Sequence, residues 1–426
     1  MDLLDGYEIL LGTYEAFLLG YKANPKENLL NKEEECDQLE LKTSFANHAH
    51  SASVRSIIAG DKYLISAGGD ENVKIFNLRN RTEHGALYHS DGVINCMLFY
   101  DKRHLMTASE DGKICILKVN AGWNVEKTLA KHKAGVTDLA LHPSGKLMLS
   151  IGKDAKLITW NLIKGRSAYV TNLHENADFV RWSPSGNHYV VGFFKRLDIY
   201  SVGTAAVEAS LPFLGRMNDV IFLDDVTIAV AGEMPQIEVY SIVSKSLIMK
   251  FEAHANRVRC MTLVSDQPVK YNDTSAQLNH QCLVTASNDG FVKVWKLSKK
   301  LIEEYSDSEK GDNEMKFTVE VKEEAKVDTK CRITCLKVHK VPKVVKSENE
   351  LDESTSVNLT DNTGHQSERK KKKSKVQIID SVSKSKIIDE SSAKAKKPKV
   401  IIEDEMTKFS NKAVVSNAVE KETSTV

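Results

Sequence analysis

No run of apolar residues in this 426-residue chain approaches the roughly 18 needed to cross a membrane as a helix. The opening stretch, MDLLDGYEILLG, carries aspartates where a secretory leader needs a basic start. Both absences lead us to expect a soluble intracellular protein with no membrane role. An excess of one charge sign is missing too: 59 Lys and Arg against 58 Asp and Glu leave a formal charge of +1, which argues against a uniformly basic nucleic-acid binder. The seven cysteines are odd in number, scattered, and mostly set in apolar contexts such as KICIL and VINCMLF, so we expect buried thiols in a reducing compartment rather than a disulfide framework. There is no GxxxxGK[ST] phosphate loop, no GxSxG nucleophile elbow and no HExxH zinc helix. An enzyme, a cofactor and a small-molecule substrate are therefore not expected.

What is present is a repeat. Short alternating segments close on an aromatic or large apolar residue at Phe76, Leu117, Trp160, Tyr200, Tyr240 and Trp295, with spacings of 41, 43, 40, 40 and 55. An upstream histidine recurs at His50, His89, His132, His174 and His254, and Arg216 stands near the position expected for a sixth. Between the two marks an aspartate sits in a tight turn, six residues before the closing position: Asp70 in GGDENVKIF, Asp111 in SEDGKICIL, Asp154 in GKDAKLITW and Asp289 in SNDGFVKVW. Asp111 and Asp289 precede glycine, a strong hairpin signal, and the flanking residues alternate with period two. Each unit reads as a small antiparallel sheet. The units near 174–202 and 216–242 are degenerate, since FFKRLDIY has no aspartate in its turn.

Units of this length carrying His, Asp and Trp at set positions resemble the blades of WD-repeat β-propellers. Six units begin near residues 50, 89, 132, 174, 216 and 254, and two segments are left over. The N-terminal GYEILLGTYEAFLLGYKA and ELKTSFANH read as three strands, and CRITCLKVHK (331–340) reads as one. Together they supply the four strands of a seventh blade shared between the chain ends, which pins the ring and removes open sheet edges. The expectation is an all-β, seven-bladed WD-repeat β-propeller over 1–341. Polar or charged insertions near 22–38, 266–280 and 300–329 are expected to be mobile surface loops.

From 342 to 426 aromatics fall to Phe409 alone and Lys, Ser, Glu and Asp dominate, so this tail is expected to be disordered. It carries two basic clusters, Arg369, Lys370, Lys371, Lys372, Lys373 and Lys375, then Lys394, Lys396, Lys397 and Lys399. Such runs read as nuclear targeting signals or polyanion-binding patches. Without aromatics between the lysines, any nucleic-acid binding should be salt-sensitive and blind to sequence.

Two constellations invite a chemical reading. Cys331, Cys335 and His339 are spaced by four, but RITCLKVHK alternates like a strand, which would spread them over roughly 13 Å, too far for one zinc ion. The recurring His and Asp could suggest a Ser-His-Asp triad at His132, Ser150 and Asp154. Repetition argues otherwise, because the same position is filled again by Asp111 and Asp289, whereas an active site occurs once. The WD-repeat resemblance implies that these side chains hydrogen-bond in series to Trp160, as a structural device fixing the inner hairpin. The expected network comprises His50, Ser66, Asp70 and Phe76; His89 and Asp111; His132, Ser150, Asp154 and Trp160; and His254, Ser287, Asp289 and Trp295. Outside it, His48, His142 and His188 lie near turns and are expected to be exposed.

Three strings are more specific than a generic blade: EHGALYHSDGVINCMLFYDKRHLMTASEDGKICIL (83–117), HPSGKLMLSIGKDAKLITWNLIKGRSA (142–168) and FEAHANRV (251–258). They resemble the PAK-kinase-interacting WD-repeat family, animal relatives of a yeast Mak-type ribosome-assembly factor, over about residues 6–340. The resemblance implies a nucleolar factor in large ribosomal subunit maturation, partnered by pre-ribosomal large-subunit proteins and rRNA, and in animals a negative regulator of p21-activated kinases. A monomeric propeller within larger assemblies, located in the nucleus and nucleolus, is the corresponding expectation. On the rim near the aspartate turns, Lys131, Lys133, Lys153, Arg257 and Asn288 are the candidate partner contacts, being long or polar and adjacent to structural positions.

Overall fold

The computed structural model describes residues 6–25, 39–119, 122–204, 206–265, 281–301 and 317–341. Their strands pair antiparallel into seven four-stranded sheets. Six sheets are continuous in sequence and define blades 1 to 6, spanning 54–87, 94–130, 136–172, 179–212, 217–252 and 258–328. The seventh joins the C-terminal strand Ile333–Lys340 to Tyr7–Thr13, Phe17–Pro25 and Leu39–His48. Each blade's first strand touches the first strands of both neighbours, from blade 1 round to blade 7 and back. The molecule is a seven-bladed β-propeller whose last blade is built from both chain ends.

Burial within a blade peaks at the second strand and is least at the fourth, for a simple reason. A second strand such as Leu147–Gly152 has another blade on each face, so almost every side chain in LMLSIG is buried, as in the fully covered strands of layered sheets. A fourth strand such as Arg166–Asn172 lies at the rim and is largely exposed. The core is accordingly not one body. Among the described residues seven apolar clusters occupy the seven blade interfaces, for example Met106, Ile114 and Leu129 of blade 2 against Val136, Ile158 and Trp160 of blade 3.

The rim position also explains a departure from expectation. The charged segment 300–329 is not simply a loop, because Phe317–Asp328 forms the outermost strand of blade 6 against Phe291–Leu301. FTVEVKEEAKVD buries Val319 and Ala325, with a register shift between Val294 and Trp295, and an outermost strand can carry Glu and Lys towards water at little cost. Residues 22–25 likewise belong to strand Phe17–Pro25. The rest of the expected insertions (26–38, 266–280 and 302–316) and the tail with its two basic clusters lie outside the described residues.

Ring closure is reinforced by a charge. Glu8, 1% exposed in the closing blade, accepts from Arg81 Nη2 of blade 1 at 3.0 Å and from the Ser44 hydroxyl, and Arg81 also packs over the Phe45 ring. A buried carboxylate left without these donors would be strongly unfavourable, so this pair couples the N-terminal strand to blade 1.

Candidate functional site

The repeated carboxylates come first, because they are the strongest chemical signal in the chain. In blade 3 they form an unbroken series. Trp160 Nε1 donates to Ser150 Oγ at 2.8 Å, Ser150 lies 2.8 Å from His132 Nε2, and His132 Nδ1 lies 2.9 Å from Asp154 Oδ1. The Lys133 amide donates to Asp154 Oδ2 at 3.0 Å. With the imidazole proton on Nδ1, the chain runs indole to hydroxyl to imidazole to carboxylate, and every member is satisfied. Blade 1 repeats it without the indole: His50 bonds Ser66 at 2.8 Å and Asp70 at 3.0 Å, while Phe76 packs without a polar contact. Burial alone would raise the Asp70 carboxyl, but the Ser51 amide, His50 and Asn72 together hold it down at about 2. Burial lowers the His50 imidazole below its ordinary 6.5 against the pull of Asp70.

Blades 2 and 6 correct the expected membership. In blade 6 the central hydroxyl is Thr285, not Ser287: it lies 2.8 Å from His254 Nε2 and accepts from Trp295 Nε1 at 2.9 Å. Ser287 sits two residues on, at the end of the strand Gln281–Ser287, where it donates to the Arg257 carbonyl and accepts from the Asp289 amide. His254 and Asp289 are 3.5 Å apart. In blade 2 the hydroxyl is Thr107, 2.8 Å from His89, and the aspartate has turned away: Asp111 accepts from Ser109, the Lys113 amide and the Lys113 ammonium. Sequence reading missed Thr107 and Thr285; the signal was a hydroxyl ten residues before the closing position in each blade that has one. In all four turns the residue after the aspartate is left-handed, with φ of 62° at Glu71, 83° at Gly112, 53° at Ala155 and 88° at Gly290.

Among the described residues blades 4 and 5 have no such network. The recurring His174 is exposed on a turn, and Arg216 does not take the histidine position. Phe213 does: it lies four residues before the first strand's start at Met217, as His132 lies before Val136, and it packs on Gly232 as His132 packs on Gly152. In blade 4 the Phe179 ring packs on the corresponding Gly192; an apolar ring needs no carboxylate, so the turns of these blades present Phe194 and Met234 to solvent, 49% and 42% exposed. His142, expected to be exposed, is buried between blades 3 and 4, bonded to Ser144 and to the Gly186 carbonyl.

First strands from all seven blades line a central channel of about 450 Å³. Most of these strands carry a bulge after their first residue, and the bulged side chain can reach the next blade. Asn95 donates to the Val136 carbonyl, Asn218 to that of Val258 and Thr334 to that of Val54. Deeper in, Asp138 accepts from the Val180 amide and Asp219 from that of Met261, and Arg181 joins both carboxylates. At the bulges of blades 1 and 6 the residue is instead an exposed arginine, Arg55 or Arg259.

Arg259 belongs to a cluster. A cavity of about 240 Å³ above blades 5 to 7 is lined by Arg216, Arg257, Arg259 and Arg332 with Asn288, and one carboxylate, Glu233. With the Asn288 amide oriented oxygen towards Arg257, that oxygen accepts from Nε and Nη2. Of the candidate rim residues, this cavity gathers Arg257 and Asn288. Lys131 and Lys133, on the connection from blade 2 to blade 3, and Lys153 of blade 3 lie exposed instead, and Lys153 pairs with Glu110 of blade 2 at 3.3 Å. Cys335 and His339 fall on strand Ile333–Lys340 opposite Gly12 and Glu8, and burial pushes the Cys335 thiol up to about 11, so that it stays protonated.

The WD domain, G-beta repeat model matches residues 123–161 and 245–296. A "p21-activated protein kinase-interacting protein 1-like" protein of Danio rerio is 36% identical over 299 residues, covering 70% of this chain and 76% of that protein. One of the same description from Gallus gallus is 35% identical over 331 residues, 78% and 80% of the two chains. "Protein MAK11" of Saccharomyces cerevisiae is 29% identical over 230 residues, 49% and 54%. Seven blades, the shared closing blade and this similarity over most of the ring agree, and the chain belongs to the p21-activated protein kinase-interacting protein 1 family of WD-repeat propellers.

Proposed function

We propose that this protein is a non-enzymatic nucleolar scaffold required for large ribosomal subunit maturation, in which the propeller docks pre-ribosomal proteins and the lysine-rich tail supplies import and weak, salt-sensitive affinity for rRNA. The observation that carries the non-catalytic reading is that the recurrent carboxylates Asp70, Asp111 and Asp154 are engaged inside their own blades by amides, hydroxyls, histidines or a lysine. A face that does no chemistry can still bind. The basic clusters at 369–375 and 394–399 support the nucleolar location, and the family resemblance of the three sequence strings, which implies ribosome assembly, supports the ribosomal role. Sedimentation of the endogenous protein on sucrose gradients tests it: co-migration with large-subunit precursors that weakens in high salt is expected, and a free protein at every salt concentration would refute it. A fluorescent fusion ending at residue 368 should lose nucleolar concentration; retention there would remove the tail from the account.

A second reading, binding and inhibition of a p21-activated kinase, is favoured in its binding part by the names of the animal relatives. Purified kinase regulatory region should then co-precipitate with this chain, and kinase activity should fall on its addition.

A further inference from the structure

We propose that the face over blades 4 to 7, centred on Arg216, Arg257, Arg259 and Arg332, captures a partner segment in which acidic residues alternate with leucine or phenylalanine. This rests on the scaffold reading above and gives it a surface and a partner chemistry.

Charge is the first argument. Four guanidinium groups line one small cavity with a single carboxylate, Glu233, and all four arginines are exposed. Arg259 occupies the bulge position where Asn95, Asn218 and Thr334 bond a neighbouring blade's carbonyl, and among the described residues no such bond joins it to blade 7. A short amide would serve the ring there; a long cation at the channel mouth serves something outside it. Arg216 and Arg332 are held in place, the first 3.4 Å from Asp178 and over the Phe194 ring, the second over the Tyr14 ring at 5.2 Å. Preset guanidinium groups lose less side-chain entropy on meeting carboxylates, which they match in paired fork geometry.

Apolar exposure is the second. Tyr14, Phe194, Leu214 and Met234 are 57%, 49%, 85% and 42% exposed. They adjoin the cluster: Leu214 precedes Gly215, whose Cβ direction meets Glu233 and Met234. Tyr14 comes from the closing blade, while Phe194, Leu214 and Met234 occur where blades 4 and 5 lack the histidine and aspartate network. Leucine and methionine offer nothing to a phosphodiester backbone, whereas an acidic and apolar peptide satisfies both halves of the surface at once. That asymmetry favours protein over RNA.

Fluorescence anisotropy on the full chain tests the proposal, with a labelled synthetic peptide of alternating glutamate and leucine around one phenylalanine. Comparison probes are the glutamine version of that peptide and a uridine oligonucleotide of equal length. Saturable, salt-sensitive binding of the glutamate peptide is expected. It should weaken about tenfold in Arg257→Glu/Arg259→Glu and about threefold in Phe194→Ser/Leu214→Ser, and be unchanged in Lys102→Glu, at a surface pair with Asp61 away from this cavity. Should charge reversal impair folding, Arg257→Gln/Arg259→Gln is expected to show a smaller loss in the same direction. Binding that is absent, indifferent to these arginines, or equal for the glutamine peptide overturns the proposal. So does tighter arginine-dependent binding of the oligonucleotide, which would assign the face to RNA. Peptide binding with no association of the endogenous protein with ribosomal precursors would sink the ribosomal reading and leave this surface standing.

Discussion

Blades 1 and 3 and blades 4 and 5 solve one problem in two ways, and the difference locates the functional face. The problem is to hold the turn between the second and third strands against the connection arriving from the previous blade. Blades 1 and 3 use a buried imidazole bonded to a carboxylate in the turn, at 3.0 Å in one and 2.9 Å in the other. Blade 5 puts Phe213 in the histidine's place. A polar solution dictates both partners and their geometry, so its turn residues are not free to vary. An apolar solution asks only for volume, and the turn can then carry Phe194 or Met234 facing water. The apolar part of the binding face therefore lies on blades without the polar network, while its arginines Arg257 and Arg259 stand on blade 6, which keeps His254 and Asp289.

The largest effect should come from the ring closure that both kinds of blade depend on. Glu8→Ala takes away the buried acceptor of Ser44 and of the partly exposed Arg81 and should cost about 3–4 kcal/mol, read by urea unfolding. Within the comparison, Phe213→Ala should cost about 3 kcal/mol, a cavity cost with no pH dependence. Asp154→Ala should cost about 2 kcal/mol, because it orphans His132, whereas Asp111→Ala should cost about 1 kcal/mol, since Asp111 does not hydrogen-bond His89. Equal losses at 111 and 154 would mean that the histidine contact contributes nothing.

Acid sharpens the comparison further. Burial lowers the imidazoles of His50, His89 and His254 below the ordinary 6.5, that of His254 to about 4. Below pH 6.5 the unfolded chain takes up protons that the folded chain refuses, so stability present at neutral pH should be lost as pH falls from about 6.5 towards 4. Asp70, held near 2 against an ordinary 3.8, adds its loss only below about pH 3.8. Hydrogen exchange across that range should loosen blades 1, 2 and 6 before blade 5. Smallest of all, Ala155→Gly relieves a left-handed residue with φ of 53° and should add up to about 1 kcal/mol.

Much of this was legible in the sequence. The fixed interval from aspartate to closing residue and the leftover terminal strands gave the ring and its closure, because each records a local geometry with its own residue demands. Phe213 was not legible, since its only mark is a spacing of four to a strand start that a hydrophobic pattern does not locate to one residue. Nor was the strand Phe317–Asp328, as charge alternation at an exposed edge resembles a loop. The choice of Thr285 over Ser287 turned on strand register, two residues apart on one face. The arginine cavity draws on residues far apart in the chain, from Tyr14 and Arg216 to Arg332, and only the closed ring assembles it.

The division between holding and binding is tested most directly by measuring thermal midpoint and glutamate-peptide affinity together in Asp154→Ala and Arg257→Glu/Arg259→Glu. The account predicts opposite outcomes: Asp154→Ala melts several degrees lower yet binds normally well below its midpoint, while the double arginine variant melts like the parent and loses about tenfold in affinity. Arginine variants that lower the midpoint and leave affinity intact would contradict it.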